Sequence, residues 1–431
     1  MSRFPLVSFM REKTNVILYG ISALYLLLIL MRYRAFEGSD FKVFWNSGRC
    51  LTKSLSVYCP ADPSWPFLNG PLLSIFLTPL ANLPYKYAFD IWFIFNAILI
   101  WFVLKSIFQL INPTYSTNQF ALVFSLFVIS YPIRHNLGIG SVVILILALN
   151  LMAIKHYRRE ISDWRSWLGA LSLVFAFELK PYLVGLFIVY LLLKRNFRFL
   201  FQSFALIVFL NVLYFVALND SNWFSWLRAM SRKSDGLFDD RTLSSLGILL
   251  RNFIGLPEWL SLTTYLASIF IILVFSRKAL ASAPENYQIA ALLVIGPIIS
   301  IYSHPQDFVL ITPIALVFLF MRKIDQREFF ASLGFFSLFL IISGSVGLSS
   351  YVVVVFLIVL INLANLGFTK IQLVTVFILN IGAQIFAKYL LLEYNRNVQM
   401  EFLNLLCLIS GYLGWWLILS GSRINRLRAS S

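Results

Sequence analysis

Charged residues are scarce in this chain. Only 13% of its 431 residues are Asp, Glu, Lys or Arg, whereas 59% are hydrophobic. The mean hydropathy of +0.81 lies well above that of a water-soluble domain of this size. A soluble enzyme is therefore excluded, and the chain is predicted to lie in a lipid bilayer.

Cysteine and histidine are also rare, with three residues of each. Cys50, Cys59 and Cys407 do not have the spacing of metal ligands, and Cys407 lies inside an apolar run. The sequence therefore predicts no metal site. Cys50 and Cys59 form a disulfide bond if their loop faces an oxidising compartment, and otherwise they are two free thiols.

Motifs that bind nucleotides are missing as well. The chain has no Gly-rich phosphate loop before a helix, no Walker-type Lys-Ser/Thr pair and no nucleophile elbow. Nucleotide-driven transport and soluble nucleotide-sugar chemistry are disfavoured, and no cofactor is expected. The formal net charge of +16 does not indicate nucleic-acid binding, because Lys and Arg stand in short clusters at the ends of apolar runs.

Apolar runs recur from end to end, and many approach the roughly 20 residues that cross a bilayer. Backbone groups in lipid must be satisfied within their own segment, so these runs are predicted to be helices. The expected fold is all-α, a polytopic bundle of about 11–13 transmembrane or re-entrant helices. The first helix, from about Thr14 to Tyr33, is read as uncleaved with a cytoplasmic N-terminus, because basic residues precede it and no cleavage site ends it.

The basic clusters set the predicted topology, since short cytoplasmic loops carry an excess of Lys and Arg. The clusters assigned to the inside are Lys155 to Arg159, Lys194 to Arg198, Arg277 with Lys278, Arg322 to Arg327, Lys370 and the tail from Arg423. This assignment leaves two long loops on the outside, at about residues 35–70 and 219–258. Residues 1–320 are predicted to form a catalytic membrane module, and residues 321–431 a set of C-terminal transmembrane helices.

Two segments do not fit simple alternation. The stretch from Trp167 to Leu193 lies between two inside clusters, so it is predicted to enter the membrane and return, with a turn at Glu178-Leu179-Lys180-Pro181. Four apolar segments lie between the first outside loop and the inside cluster at Lys155. An odd number of crossings is needed to pass from outside to inside, so one of the four is predicted not to cross. The run from Phe120 to Tyr131 is predicted to be re-entrant, which places Arg134 and His135 outside as candidate substrate-binding residues. The alternative is that one basic cluster violates the charge rule.

Asp40 is the first candidate for chemistry. It follows the first helix at the outer surface, where its carboxylate is placed to act as a general base on an acceptor hydroxyl. A solvated carboxylate at a helix end is the alternative interpretation.

Glu178 and Lys180 are ionisable residues within an apolar stretch, which is costly unless the groups are paired or line a cavity. Lys180 is a candidate to bind a phosphate, with Glu178 beside it in the binding site. A structural ion pair between the two side chains explains the pattern equally well.

Four further residues are candidates for substrate binding in outer loops. His304 and Asp307 share one short turn and are suited to hydroxyl or phosphate binding, although a single His at a helix end is commonly an interfacial polar residue. Arg232 and Lys233 lie in the loop at 219–258, where mixed charges stand beside aromatic residues. Both are candidate contacts for a donor phosphate.

Several collinear motifs resemble one known family, glycosyltransferase family 87 of the GT-C fold. The motifs are Asp40-Phe41, Phe44 to Arg49, Val57-Tyr58, Pro71 to Leu73, Thr78 to Ala81, Trp92, the Gly138 turn, Leu179 to Pro181, Ser244 to Gly247 and Ser303 to Pro305. The resemblance covers about residues 36 to 320. The chain departs from the family pattern at Phe67 to Pro71 and at Gly138 to Ser141.

The resemblance implies an inverting transfer of a hexose, with mannose expected, from a polyprenyl-phosphate donor to a hydroxyl of a glycolipid or glycan. The reaction is expected at the non-cytoplasmic face of the plasma (inner) membrane, with membrane lipids and no nucleic acid as partners. By position, Asp40 is the catalytic base, and Lys180 with Arg232 or Lys233 steadies the departing phosphate. The rival interpretations are a flippase or polymerase of lipid-linked glycans, and a scaffold that has lost activity.

Overall fold

The computed structural model describes residues 5–34, 39–53, 56–58, 67, 69–111, 113–218, 284–300 and 304–320, with single positions and short pieces between 257 and 274 and at 409 and 413. Arg232 and Lys233 lie outside the described residues, as do nearly all of the predicted C-terminal helices at 321–431. The predicted division at residue 320 therefore stays a prediction.

The described chain is built from helices. They are α1 (Pro5–Tyr33), α2 (Ser39–Thr52), α3 (Pro71–Ala81), α4 (Tyr85–Ile111), α5 (Thr117–Ile129), α6 (Tyr131–Ile139), α7 (Val143–His156), α8 (Trp164–Leu179), α9 (Pro181–Leu193), α10 (Phe197–Leu218), α11 (Glu285–Ile299), a 3₁₀ helix (Pro305–Leu310) and α12 (Thr312–Phe320). No strand occurs among these residues, and the predicted all-α class is confirmed.

Three helices are long and apolar enough to cross a membrane: Thr14–Tyr33 of α1, the whole of α4, and Phe197–Val216 of α10. The first of these is the predicted first transmembrane helix. The α5–α6 pair forms a fourth candidate span.

Tertiary contacts divide the chain into two compact units. The first unit comprises Met1–Ile29, Leu104–His135 and Arg241–Ser431, and the second comprises Leu30–Val103 and Asn136–Asp240. In the first unit, α1 and α5 pack through a serine pair, in which Ser22 Oγ donates to Ser125 Oγ at 3.0 Å. Asn286 of α11 donates to the backbone oxygen of Leu110 at 3.0 Å. Such hydrogen bonds between helices satisfy polar groups that lipid cannot.

In the second unit, α8 and α10 run in the same direction, and α9 runs in the opposite direction between them. Ser166 Oγ donates to Gln202 Oε1 at 2.9 Å, and Asn211 Nδ2 donates to Glu178 Oε1 at 3.1 Å. These two bonds show that α8 and α10 are parallel, so α9 must return to the end where α8 began. The predicted hairpin between the two basic clusters is confirmed.

Pro181 explains where this hairpin turns. Proline is favoured at the first helical position, and Pro181 begins α9 there. It also disfavours helical geometry in the residue before it. Lys180 is accordingly extended, with φ −151° and ψ 92°, and α8 ends at Leu179.

α3 is an apolar helix that is shorter than a membrane span. Its 11 residues extend only about 17 Å, against a hydrocarbon core of about 30 Å. Arg34, just after α1, pairs with Asp90 near the start of α4 at 2.5 Å. The end of α1 and the start of α4 therefore lie at the same end of the second unit, and the chain between them makes no net crossing.

The run from Phe120 to Tyr131, predicted to be re-entrant, forms α5 and the start of α6. The two helices meet at 57° across Ser130, the geometry of a broken span or of a re-entrant loop, so the re-entrant path stays a prediction. Pro132, in the first turn of α6, has no N–H to donate to the preceding turn, which favours a kink or a break at this point.

Phe41 anchors the start of α2 within the second unit. It is fully buried and stacks on Trp92 with ring centroids 5.9 Å apart, while Trp92 Nε1 donates to the backbone oxygen of Gly140 at 2.9 Å. Gly140 has a positive φ of 67°. A Cβ at this position would lie 2.5 Å from the Cβ of Phe41, so both the backbone and the packing require glycine.

We expect the substitution Gly140→Ala to destabilise the protein by about 2 kcal/mol or more, because it adds backbone strain and a clash with Phe41. Gly185→Ala is the matched control, since no atom lies within 4 Å of the added Cβ and alanine favours a helix. The melting temperature of the detergent-purified protein measures both effects. Equal melting temperatures for the two variants would contradict the packing described here.

Candidate functional site

Asp40 lies in the first turn of α2, a helix within the predicted first outside loop. Its side chain is half-buried. A carboxylate at this position is favoured by the positive end of the helix dipole. Because the next residue, Phe41, is packed against Trp92 and Gly140, the backbone that carries Asp40 is held in place.

α2 packs on α3 through small residues. Ser47 Oγ donates to the backbone oxygen of Val57 at 3.1 Å and also contacts Ser74 Oγ. A Cβ on Gly48 would lie 2.9 Å from the Cβ of Ala81. Glycine and serine at these positions let the two helices approach closely, so the motif from Phe44 to Arg49 has a packing role.

Cys50 is disulfide-bonded in the structure. Its partner lies outside the described residues. The sequence left open a disulfide bond or a free thiol, and Cys50 therefore forms a disulfide bond.

Glu178 links the end of α8 to the start of α3. Its backbone oxygen accepts from the Gly70 N–H at 2.7 Å, and its carboxylate accepts from the Leu72 N–H at 3.3 Å. Gly70 offers no side chain to cap α3, so the carboxylate of Glu178 caps this helix from a distant part of the sequence. Asn69 Nδ2 donates to the adjacent backbone oxygen of Leu179.

The remaining carboxylate oxygen of Glu178 accepts from Asn211 Nδ2. In the part of the chain that the structure describes, the carboxylate bonds to Leu72 and Asn211 and not to Lys180. The alternative of a structural Glu178–Lys180 ion pair is therefore wrong. Residues two apart on a helix do not face each other, and Lys180 already lies beyond the helix end.

Lys180 is half-buried at the break between α8 and α9. Its N–H donates to the backbone oxygen of Ala176, and its own backbone oxygen accepts from the Leu183 N–H, each at 3.1 Å. The ammonium lies 5.8 Å from the centroid of the Tyr182 ring, within the range of a cation–π contact.

Asp40 and Lys180 lie at the same end of the second unit. α7 and α8 pack against each other and are joined by a short loop, so the start of α7 and the end of α8 are at one end. Phe41, next to Asp40, packs against Gly140 just before α7. Lys180 directly follows α8.

A second group of predicted residues lies in the first unit. Arg134 is buried, with its guanidinium 5.1 Å from the centroid of the Tyr131 ring. His135 stacks on the same ring at 5.5 Å. His304 is close enough to His135 to act on it electrostatically, so the structure brings His304 near the adjacent pair Arg134 and His135, from which it was predicted separately.

The carboxylate of Asp307 stabilises the turn on which it lies. It is fully buried, and its carboxylate accepts from the backbone N–H of His304 at 3.0 Å, while its own N–H donates to the backbone oxygen of His304 at 2.9 Å. These bonds fix the turn that begins the 3₁₀ helix. Among the described residues, no three His, Cys, Asp or Glu side chains are grouped as metal ligands.

Sequence reasoning missed the partners of Glu178. Asn69 and Gly70 appeared only as departures from a family pattern, and Asn211 was not singled out. A signal for Asn211 was present, because an amide inside the apolar helix α10 needs a hydrogen-bond partner in lipid. The partner itself could not be read from the sequence.

These features define a polytopic all-α membrane protein in which ionisable side chains lie at the ends and breaks of helices. The model of Glycosyltransferase family 87 matches residues 67–300, more than half of the chain. The chain therefore belongs to glycosyltransferase family 87 and is a membrane glycosyltransferase. No curated protein matches it.

The match confirms the family predicted from the motifs. Glu178, Lys180, Arg134 and His135 fall within the matched residues, as do Arg232 and Lys233. Asp40 precedes them, and His304 and Asp307 follow.

We expect Glu178→Ala to lower the stability of the purified protein by about 1–3 kcal/mol, because the N–H of Leu72 and the amide of Asn211 lose their acceptor. Glu178→Gln should lose less, since one acceptor oxygen remains. The exposed Glu160 provides the control Glu160→Ala, which should leave the melting temperature within about 1 °C. Full stability of Glu178→Ala would show that this carboxylate does not hold α3.

Proposed function

We propose that the protein transfers a hexose from a polyprenyl-phosphate donor to a hydroxyl of a glycolipid or glycan, with inversion at the anomeric carbon. Mannose is the proposed hexose. The observation that carries the proposal is the position of Asp40 and Lys180 at the same end of the second unit. Such a reaction needs a base for the acceptor and a positive charge for the departing phosphate, and these two side chains have those properties.

Asp40 is the proposed general base. It takes the proton of the acceptor hydroxyl while the acceptor oxygen bonds to the anomeric carbon of the donor. The bond from that carbon to the phosphate oxygen breaks at the same time, and polyprenyl phosphate leaves. The anchoring of Phe41 supports this role, because general-base catalysis requires the carboxylate to be held within hydrogen-bond reach of the hydroxyl.

Lys180 is the proposed contact for the donor phosphate. The position of Lys180 at the turn of an apolar hairpin supports this role, because a charge interaction beside lipid would be stronger than in water. A positive charge at the departing phosphate lowers the barrier by stabilising the charge that develops there. We further propose that Arg134, His135, His304, Arg232 and Lys233 contribute contacts to the substrates.

The proposed orientation places the reaction at the non-cytoplasmic face of the plasma membrane. The basic clusters at Lys155 to Arg159 and Lys194 to Arg198 lie at the end of the second unit opposite Lys180, since α8 and α9 run between them. Basic loops face the cytoplasm in most membrane proteins. Asp40 and Lys180 then face outward, where lipid-linked sugars are used.

We expect Asp40→Asn to reduce hexose transfer by about 10²–10⁴-fold, the usual contribution of a general base. The measurement uses membranes that contain the full-length protein, supplied with polyprenyl-phosphate mannose or glucose carrying a radioactive hexose. Label incorporated into endogenous glycolipid is counted. Glu160→Gln is the matched control, because it neutralises an exposed carboxylate at the opposite end of the second unit, and its activity should equal that of the unmodified chain.

An Asp40→Asn protein that is present at normal levels and keeps its activity within about threefold would remove Asp40 from the mechanism. If the unmodified chain transfers hexose from neither polyprenyl-phosphate mannose nor polyprenyl-phosphate glucose, the proposed donor class is contradicted.

We expect Lys180→Met to reduce transfer by about 10–100-fold, because the departing phosphate loses a charge contact. Lys180→Arg should restore part of the activity, since the positive charge remains. The same membrane assay, run over a range of donor concentrations, separates an effect on kcat from one on KM. Equal losses in the Met and Arg variants would indicate a requirement for side-chain shape instead of charge, and would contradict the proposed role.

A further inference from the structure

Two basic loops meet at the end of the second unit opposite Lys180. One loop, residues 157–163, joins α7 to α8, and the other, residues 194–196, joins α9 to α10. The helix ends beside these loops carry further cations. Asn196 Nδ2 donates to the backbone oxygen of Tyr157 at 3.0 Å, which holds one loop against the other. We name this surface the basic face. Its charged residues are Lys155, Arg158, Arg159, Arg165, Lys194, Arg195 and Arg198, with Glu160 and Asp163 as the carboxylates.

The seven cations of the basic face are all exposed. Arg159 pairs with Asp163 at 3.0 Å, and the backbone N–H of Arg165 lowers the pKa of Asp163, so this carboxylate stays ionised. In the described part of the chain, Lys155, Arg195 and Arg198 have no carboxylate partner. Positive charge is therefore left over on this face for an anion from outside the chain.

Apolar side chains surround these cations. Trp164 is 67% exposed, Leu193 78% and Phe197 59%. Tryptophan and long cationic side chains together are typical of the boundary between headgroups and acyl chains. A free phosphate ion would gain nothing from this apolar rim, whereas the acyl chains of a lipid would lie against it.

The basic face also contains an open cleft of about 460 Å³ lined by Arg158, Arg159, Glu160, Ser162 and Asp163. Two arginines and two carboxylates balance within the cleft, so the excess positive charge lies on the cations around it. Arg158 is oriented there by its own loop, since its Nε donates to the Tyr157 hydroxyl at 2.9 Å. Arginine pairs well with phosphate oxygens because its guanidinium donors form a planar fork. We propose that the basic face binds an anionic phospholipid through its headgroup phosphate, at the end of the second unit opposite the proposed reaction site.

The test is native mass spectrometry of the detergent-purified full-length chain, titrated with phosphatidylglycerol or with phosphatidylcholine of the same acyl chains. We expect tighter binding of phosphatidylglycerol. The double variant Lys155→Gln with Lys194→Gln should weaken that binding about tenfold or more, because each cation near an anionic lipid contributes to affinity. The matched control is Lys53→Gln with Lys86→Gln, which removes two exposed cations elsewhere and should leave binding unchanged.

A third variant tests whether lipid binding depends on the arrangement of the two loops and not only on their net charge. Asn196→Ser removes the bond to Tyr157 without changing the net charge, and serine can still accept the N–H of Phe199, which Asn196 Oδ1 now accepts at 3.3 Å. We expect phosphatidylglycerol binding to weaken several-fold. Melting temperatures of all variants check that each is folded.

Three results would overturn the proposal. They are equal binding of the two lipids, equal effects of the two double variants, and unchanged binding in folded Asn196→Ser protein. Displacement of phosphatidylglycerol by a few millimolar inorganic phosphate would assign the face to free phosphate and would also reject the lipid.

Discussion

The contact between the end of α8 and the start of α3 is the interaction on which the second unit depends. Glu178 accepts the N–H groups of Gly70 and Leu72, which would otherwise be unpaired at the start of a helix in apolar surroundings, at a cost of several kcal/mol. The same residue ends α8 just before Lys180. Because α3 packs on α2, the position of Asp40 also follows from this contact.

A broken helix lets this membrane protein place a charge at the turn of an apolar hairpin. Lys180 is extended because Pro181 follows it, and the α8–α9 hairpin then carries its ammonium to the end of the unit where Asp40 is anchored. The opposite end gathers exposed cations and aromatic side chains. One hairpin thus separates a surface suited to lipid headgroups from the residues proposed for chemistry.

Hydropathy and charge predicted the all-α class, the first transmembrane helix, and the helical hairpin between the basic clusters at Lys155 and Lys194. The same reasoning chose the run from Phe120 to Tyr131 as the segment that does not cross, and this choice stays a prediction. Charge counting gives only the parity of crossings, and the Arg34–Asp90 ion pair, which brings the end of α1 and the start of α4 to one end of the second unit, joins residues far apart in sequence. The helix α2 was also not predicted, because its residues read as a polar loop.

The sequence by itself determined the all-α class, the turn at Pro181, and the family to which the chain belongs. These features follow from local properties, namely the transfer energy of each segment and the missing N–H of proline. The tertiary structure alone decided that Glu178 caps α3 instead of pairing with Lys180, that Gly140 receives Phe41, and that His135 and His304 are neighbours. Each of these contacts joins residues brought together only when helices pack, and no local pattern encodes which of several polar partners a buried group will meet.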